Sequence, residues 1–547
     1  MPLAGNVQWW TPLCTFAAYD HGVTLAATAQ SGNPDRTSRG VPPIIRRRLA
    51  PFDARLDRRS WIATAVVVAI AAILRLVNLA HPKGKIFDEI YYATDAHNLL
   101  TRGFEWDEKN NTAAYVVHPP LGKWMIALGE WAFGYNEFGW RISAAVIGTL
   151  SVLLVVRVGR RLFQSTALGC AAGLLMALDG FHLVLSRTAL LDIFLLFFVF
   201  AAFGALVLDR DARRRRWLQA IEEGLDPSRP GRAGRPPFSL RGVPWWRLLA
   251  GVLLGCAVAV KWSALAFVLA FAVLVIFWEV GARRSVGVRR PWRDTLLDES
   301  GWLLLSGVLI VVTYIVSWSG WLLTDGGFYR GFKSDGDPVT NALWSLFEYH
   351  KQALTFHTGL TTAHTYQSWP WQWLLLGRPV AFHWSDAGPC GAANCAEEVL
   401  LLGTPILWWS FLPALAALTW LGIARRDWRG AAILLPVAAG LLPWFYYAAD
   451  KRTMFFFYAA PALPFLVLAV VYVLGAIMSP APAVEVEGSA PVNRTGTVDR
   501  RMIGAIFAGA YVLVVAICFA YFYPIYTGVS IPYADWSARM WLGGRWI

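Results

Sequence analysis

Charged residues are scarce in this chain of 547 residues: Asp, Glu, Lys and Arg make up 16%, whereas apolar residues make up 56%. Soluble domains carry roughly a quarter charged residues, so a soluble protein of this size could not cover so much apolar surface. Cysteine is scarce too, with six in the chain, which excludes a small disulfide-rich secreted scaffold. The apolar content also excludes a disordered chain.

The apolar residues lie in blocks of about 20, the length that crosses a bilayer core. They predict an all-α polytopic membrane protein. No internal repeat is visible, which counts against a transporter built from repeated halves. Eleven spans are expected, near residues 61–80, 141–158, 167–185, 190–208, 248–262, 264–280, 302–322, 399–421, 431–449, 454–478 and 502–522.

The net charge of +13 could suit a nucleic-acid partner. The basic residues, however, cluster in every second linker between apolar blocks, which is the positive-inside pattern, so no nucleic acid is expected. This pattern predicts a cell-membrane protein with a cytoplasmic N-terminus and an outer C-terminus. The expected parts are an Arg-rich cytoplasmic tail at 1–60, a membrane domain at 61–522 and an outer tail at 523–547. The tail at 1–60 lacks the order of a cleavable signal peptide.

Two long loops, 81–140 and 323–398, fall on the outer face together. They are rich in Trp, His, Tyr and Pro, which favours a folded binding surface. Cys390 and Cys395 lie close together in the second loop, and they could form a disulfide if that loop faces an oxidising compartment. The basic stretches at 209–247 and 479–501 are expected to be cytoplasmic linkers without chemistry.

Two adjacent acids, Asp88 and Glu89, follow a few residues after the first span. Acidic side chains so close to the apolar phase cost free energy, so they are expected to pair with a cation or to serve a function. Neighbouring side chains cannot share one face, so these two do not suit a paired-carboxylate hydrolase site. One could act as a base while the other orients a partner. A solvated acid pair in a loop is the alternative.

Basic residues at the outer boundary are exceptions to the positive-inside pattern, so the presence of each one needs an explanation. A phosphate in the headgroup region would explain several of them at once, although Arg141 could also extend to the interface without a ligand. Asp192 lies five residues after Arg187, which is not ideal for a pair within one helix. His118-Pro119-Pro120 is a rigid turn before Lys123, or no more than a helix entry. The boundary cations are Arg141, Arg187, Lys261, Lys451 and Arg452.

An ordered set of motifs between about residues 60 and 525 resembles the protein O-mannosyltransferase family. Any one motif is weak, whereas the ordered set is specific. The motifs are Phe87-Asp88-Glu89 with Tyr91, His118-Pro119-Pro120-Leu121-Gly122-Lys123, Arg141-Ile142-Ser143-Ala144, Leu190-Leu191-Asp192, Lys261-Trp262, Tyr366-Gln367-Ser368-Trp369 through Trp373 to Arg378-Pro379, Leu402-Gly403-Thr404-Pro405 with Trp408-Trp409, and Arg452-Thr453-Met454-Phe455.

The resemblance implies a C-type glycosyltransferase fold, a lipid-linked mannosyl phosphate donor, and Ser/Thr hydroxyls of translocating polypeptides as acceptors. Two departures imply a bacterial member. The second outer loop, about 75 residues long, cannot hold the soluble β-trefoil domain of the eukaryotic members, and Thr404 stands where Asn is expected. Arg-, Ala- and Trp-rich usage suits an actinobacterium, for which the donor would be polyprenyl-phosphate mannose.

The resemblance also assigns roles to residues. Asp88 is the expected base, Glu89 a positioning or acceptor-side residue, and Arg141 a partner of Asp88 or of the donor phosphate. The expected donor-phosphate ligands are Lys261, Arg452 and Arg187. The expected acceptor-side or structural residues are His118, Lys123, Asp192 and Arg378.

The chemistry needs a base and positioned positive charge, because polyprenyl phosphate is already a good leaving group. Direct displacement would convert a β-linked donor into an α-mannoside. Neither a metal nor another cofactor is expected.

Two other functions compete with this one. A related lipid-phosphate-sugar transferase could move a pentose or aminosugar to a lipid or wall glycan with the same acids and cations, but the later motifs favour a mannosyltransferase. A transporter or flippase would place ionisable residues near mid-span, whereas here they gather at the outer boundary.

Overall fold

A computed structural model of the protein describes residues 41–50, 57–228, 242–478 and 495–546. Most of the predicted tail at 1–60 and most of the basic stretch at 479–501 therefore lie outside the described residues. The all-α prediction is confirmed. The α-helices are, in chain order, α1 (Pro43–Leu49), α2 (Arg58–Leu76), α3 (Glu89–Arg102), α4 (Leu121–Phe133), α5 (Glu137–Phe163), α6 (Thr166–Ala177), α7 (Gly180–Leu185), α8 (Asp192–Glu222), α9 (Trp245–Val260), α10 (Leu265–Ser285), α11 (Pro291–Ser317), α12 (Ser319–Leu323), α13 (Pro338–Gly359), α14 (Pro370–Trp373), α15 (Pro405–Ala424), α16 (Trp428–Leu441), α17 (Pro443–Ala449), α18 (Leu463–Met478), α19 (Thr495–Thr527) and α20 (Tyr533–Ser537).

Helix starts follow polar capping residues. Asp57, Asn136 and Ser165 accept backbone N–H groups at the starts of α2, α5 and α6, which satisfies donors that a helix leaves unpaired at its N-terminus. Among the described residues, nine helical segments are long and apolar enough to cross a membrane. The apolar helices α6 and α9 are shorter, so the count of eleven spans stays a prediction.

Helix α8 continues well past residue 208, where the span was expected to end. The basic stretch that begins at residue 209 is therefore helical as far as Glu222, and its cytoplasmic position stays a prediction. Its last turns stay folded because their arginines enter a buried ion-pair network. Arg213 of α8 pairs with Glu279 at 3.2 Å and with Glu299.

The same network joins four helices at one end of the bundle. Arg247 of α9 pairs with Asp209 at 2.7 Å and with Glu299 at 2.5 Å. Arg283 of α10 pairs with Glu279 at 2.8 Å and with Glu299 of α11 at 2.9 Å. Glu299 thus meets arginines of α8, α9 and α10, and the network is defined here by Asp209, Arg213, Arg247, Glu279, Arg283 and Glu299.

Both long loops are folded. They lie at the helix ends opposite to the ion-pair network. Loop 81–140 contains α3, α4 and a short antiparallel pair, β1 (Trp106–Asp107) with β2 (Thr112–Ala113). Loop 323–398 contains α13, α14 and the strand β3 (Val380–Ser385), which pairs antiparallel with β4 (Cys395–Leu401). Strand β4 extends past residue 398, so the span expected from 399 begins with α15 at Pro405. A disulfide joins Cys390 and Cys395, whose Cα atoms are 5.8 Å apart.

The chain beyond residue 522 packs against this second loop. Strand β5 (Ile531–Pro532) adds antiparallel to β4. The indole Nε1 of Trp536 donates to Glu398 at 2.6 Å, and that of Trp546 donates to the Leu376 carbonyl at 2.7 Å. The expected outer tail is therefore a structural part of the loop region.

We expect Glu299→Ala to destabilise the protein by about 3–5 kcal/mol, because it leaves three buried arginines short of a partner. Glu222→Ala is the matched control, since its pair with Arg46 is exposed and exposed pairs contribute about 0–1 kcal/mol. Thermal unfolding in detergent measures both. Equal midpoints for the two variants would contradict a stabilising role for the network.

Candidate active site

A cavity of about 300 Å³ lies where α8 and α10 begin and α13 ends. Its wall combines cations with aromatic rings, which suits a ligand that is part phosphate or sugar and part hydrocarbon. We call it the central cavity. Its charged and imidazole residues are His118, Asp192, Lys261, His357 and Arg452, and its aromatic residues are Trp262, Phe267, Trp444, Tyr447 and Tyr458.

Lys261 enters the cavity from the break between two apolar helices. Helix α9 ends at Val260, and Lys261 is extended (φ −150°, ψ 140°) before a short 3-10 turn leads into α10. Its Nζ donates to Asp192 Oδ2 at 2.7 Å and lies 5.8 Å from the centroid of the Tyr458 ring. The break therefore places a buried cation against the first residue of α8.

Arg452 enters from the turn that follows α17. Its Nε donates to the carbonyl oxygen of His357 at 2.7 Å, so the end of α13 fixes the guanidinium. The guanidinium carbon lies 5.7 Å from the centroid of the Tyr458 ring and 6.0 Å from that of Trp444. Arg452 and Lys261 thus both border the Tyr458 ring, and both line the same cavity.

His118 lies in the central cavity, with its ring centroid 5.3 Å from that of His357. Burial, together with the positive charges of Lys261, Lys123 and Arg452, holds the pKa of His118 well below its usual value. Its imidazole is therefore neutral at pH 7, able to donate from one nitrogen and accept at the other.

Asp88 is the N-cap residue of α3, and it lies close enough to two cavity residues, Lys261 and Asp192, for their charges to act on its carboxyl group. The preceding residue, Phe87, has φ +48° and stacks on Phe382 at 4.5 Å between centroids, which fixes the entry into the helix. The Asp88 carboxylate makes no capping hydrogen bond. Burial raises the pKa of Asp88 to about 6, while the charge of Lys261 lowers it and that of Asp192 raises it.

Glu89 and Arg141 form a fully buried bidentate ion pair. Arg141 Nε donates to Oε1 and Nη2 to Oε2, each at 2.8 Å. The remaining N–H groups of Arg141 meet the carbonyl oxygens of Leu79, Pro82 and Gly84. All five donors of the guanidinium are thus engaged.

The prediction that Arg141 holds Asp88 or the donor phosphate is therefore wrong, because its partner is the adjacent acid. Glu89 also accepts the backbone N–H groups of Ile86 at 3.0 Å and Ala189 at 2.9 Å. These bonds leave Glu89 and Arg141 with a positioning role. They tie the first loop to α5 and to the segment before α8, and so hold Asp88 beside the cavity.

Arg187 does not line the central cavity. Its guanidinium donates to the carbonyl oxygens of Leu74, Arg75, Val77 and Asn78. The carbonyls of Leu74, Arg75 and Val77 belong to the last turn and C-cap of α2, which has no later helical turn to supply N–H groups for them. Arg187 was predicted to bind the donor phosphate. In the structure it caps a helix instead.

Lys123 and Arg378 also lie outside the cavity lining. Lys123 is buried between Glu105 and Asp95, with the latter at 3.7 Å, so it holds α4 against α3. Arg378 is half-buried and donates to the carbonyl oxygen of Thr365 at 2.9 Å. Asp192, by contrast, lies in the cavity as the partner of Lys261.

His357 is a cavity residue that the sequence analysis missed. It lies on α13, in a stretch for which no helix was predicted. The signal was present, since Asp337-Pro338 caps and starts the helix and apolar residues recur at helical spacing after it. Within the residues described, no cluster of three or more His, Cys, Asp or Glu could hold a metal ion; that the reaction needs none stays a prediction.

Comparisons with known proteins agree with this architecture. The family model described as dolichyl-phosphate-mannose-protein mannosyltransferase matches residues 65–226, and that for the C-terminal four TMM region of protein-O-mannosyltransferase matches residues 343–546. A polyprenol-phosphate-mannose–protein mannosyltransferase of Mycolicibacterium smegmatis is 41% identical, covering 89% of this chain and 93% of the relative. One of Mycobacterium tuberculosis is 40% identical, covering 89% and 92%.

The fold is also that of a solved enzyme. The S. cerevisiae protein O-mannosyltransferase Pmt1–Pmt2 complex, bound to the sugar donor, superposes with a TM-score of 0.67 at 15% identity, covering 91% of this chain and 94% of that chain. This likeness shows a shared fold. The family models and the sequence relatives together show that the chain is a membrane glycosyltransferase that belongs to the protein O-mannosyltransferase family.

Proposed function

We propose that the enzyme transfers mannose from polyprenyl-phosphate mannose to Ser/Thr hydroxyls of polypeptides. The observation that carries the proposal is the pair of cations around Tyr458, Lys261 and Arg452, with the ionisable Asp88 beside them. The printed names of the actinobacterial relatives support this donor and a protein acceptor.

The donor phosphate would lie between Lys261 and Arg452. Leu265 and Leu354 line the same cavity, and each is 54% exposed, so a polyprenyl chain could leave between them toward lipid. As the bond from C1 to the phosphate oxygen breaks, the phosphate gains a negative charge. Cations already fixed in a buried site stabilise that charge most in the transition state.

Asp88 would act as the base. The acceptor oxygen forms a bond to C1 of mannose while its proton passes to the Asp88 carboxylate, and polyprenyl phosphate departs with the bonding electrons. A single displacement of this kind inverts a β-linked donor to an α-mannoside. His118, uncharged in the cavity wall, could hydrogen-bond the sugar without adding charge.

The site would lie on the outer face of the cell membrane. The positive-inside pattern supports that orientation, with a cytoplasmic N-terminus and an outer C-terminus. The Cys390–Cys395 disulfide supports it too, because disulfides persist in oxidising compartments. Acceptors could then be modified as they emerge from the secretion channel.

Transfer of radiolabelled mannose from polyprenyl-phosphate mannose to a Ser/Thr-rich peptide, in membranes that carry the enzyme, tests the proposal. Label on the peptide, lost when Ser and Thr are replaced by Ala, is the expected result. Label on a lipid or glycan instead, with the peptide unlabelled, would overturn it in favour of the related sugar transferase.

We expect Asp88→Asn and Asp88→Ala to abolish transfer, with a loss of at least about 10²–10⁴-fold for removal of a base, and without a change in the thermal midpoint. Glu89→Gln is the matched control for the neighbouring acid. It weakens a buried ion pair, so it should lower the midpoint by several degrees as well as the rate; Arg141→Ala should do the same. Full activity in Asp88→Asn would remove Asp88 from the base role.

The pH dependence of kcat/KM should report the ionisation of Asp88. Burial raises the pKa of its carboxyl to about 6, so activity should be present above that pH and fall as the pH decreases through it, because the protonated acid cannot accept a proton. The measurement is a profile from pH 5 to pH 8. A flat profile through pH 6 would contradict this assignment.

Lys261→Ala and Arg452→Ala should each weaken the binding of polyprenyl phosphate by roughly 10- to 100-fold, the effect of losing a charged hydrogen bond of about 1.5–3 kcal/mol. Arg378→Ala is the control, because that cation is not among the residues that line the cavity. Competition against labelled donor measures the affinities. Equal losses in all three variants would count against a phosphate site between Lys261 and Arg452.

A further inference from the structure

Helix α13, in the second long loop, presents three different faces. One face is buried: Leu346 and Tyr349 pack with Trp318 and Trp321, and the Tyr349 ring centroid lies 5.4 Å from that of Trp318. A second face is polar, because Glu348, Gln352 and Thr355 line an open groove.

The third face is apolar and exposed. Val339 is 66% exposed, Leu343 50%, Phe347 58% and Leu354 54%. At about 100° per residue these four side chains project within an arc of about 80°. Together they form an apolar stripe from Val339 to Leu354, and we call it the α13 stripe. It is interrupted at His350, whose ring is hydrogen-bonded to Tyr314.

Amphipathic residues border the α13 stripe. Trp344 is half exposed, and Lys333 Nζ lies 5.8 Å from the centroid of its ring. Lys351 is exposed on the same side of the helix. Indole rings and lysines at the edge of an apolar stripe are typical of helices that lie in the plane of a membrane interface.

The long apolar helix that precedes α13 in sequence is α11, and its apolar surface is exposed. Only 6% of the apolar window of α11 is buried, and Val312 and Val316 near its end are exposed. Helix α11 ends at Ser317, and the buried face of α13 packs on Trp318. The α13 stripe therefore belongs to a helix that packs directly at the end of a span whose apolar surface is exposed.

We propose that the α13 stripe lies in the membrane interface on the active-site side, among the acyl chains of the lipid leaflet, with Trp344 and Lys351 at headgroup level. Leu354 belongs to both the stripe and the central cavity, so the helix forms one side of the route by which a lipid-linked sugar enters. That last statement rests on the proposed function, whereas the position of the helix does not.

Spin labels test the position of the helix. Single cysteines replace Leu343, Phe347 or, as the control on the polar face, Gln352, in an otherwise full-length protein whose Cys14, Cys170, Cys256 and Cys518 are replaced by Ala. In phosphatidylcholine–phosphatidylglycerol bilayer discs, we expect labels at 343 and 347 to collide with oxygen and not with a water-soluble nickel chelate. The label at 352 should show the reverse.

Two results would overturn the proposal. Water accessibility at 343 and 347 equal to that at 352 would place the stripe in solution. Labels at 343 and 347 that neither reagent reaches would show that a protein surface covers the stripe.

A kinetic measurement tests the entry route. Leu343→Ser with Phe347→Ser should raise the apparent KM for a long-chain donor several-fold, with kcat and the KM for a short-chain donor unchanged. Equal KM changes for both donors would overturn the route. If the wild-type enzyme uses neither donor, the proposed function fails, while the label data still decide where α13 lies.

Discussion

The buried ion pair between Glu89 and Arg141 is the interaction on which the site depends. A charge in this apolar environment is tolerable only when every donor and acceptor has a partner, and here the guanidinium uses all five donors. The pair links the first loop to α5 and to the segment before α8. Because Glu89 is anchored, its neighbour Asp88 is held beside the central cavity without a partner of its own in the helix cap.

The cations at the two ends of the bundle have different partners. At one end, Arg213, Arg247 and Arg283 are matched by acids in a closed network, which stabilises four helices and leaves little positive charge for a ligand. At the other end, Lys261 has one acid and Arg452 has carbonyl groups and aromatic rings. The two ends also differ in the space available, because Lys261 and Arg452 line a cavity of about 300 Å³, whereas the cavity beside the network is about 10 Å³.

The sequence predicted the helical membrane architecture. It also singled out Lys261 and Arg452, which line one cavity, because cations at the outer boundary are exceptions to the positive-inside pattern. Their roles, like that of Asp88, stay predictions. The sequence could not say which of two adjacent acids pairs with Arg141, since that depends on where Arg141 lies after folding. It could not predict that Arg187 caps α2. Every residue has a backbone carbonyl, and the sequence does not show which carbonyls will accept a side chain. Residues 209–222 looked like a basic linker because their acidic partners are distant in sequence.

The most direct test is the structure of Asp88→Asn, which should be inactive and folded, with polyprenyl-phosphate mannose bound in a lipid disc. The account predicts phosphate density in contact with Lys261 and Arg452, the lipid chain leaving past Leu265 and Leu354, and C1 of mannose on the side of residue 88. A phosphate bound elsewhere, or a sugar turned away from residue 88 with the cations unoccupied, would contradict the account.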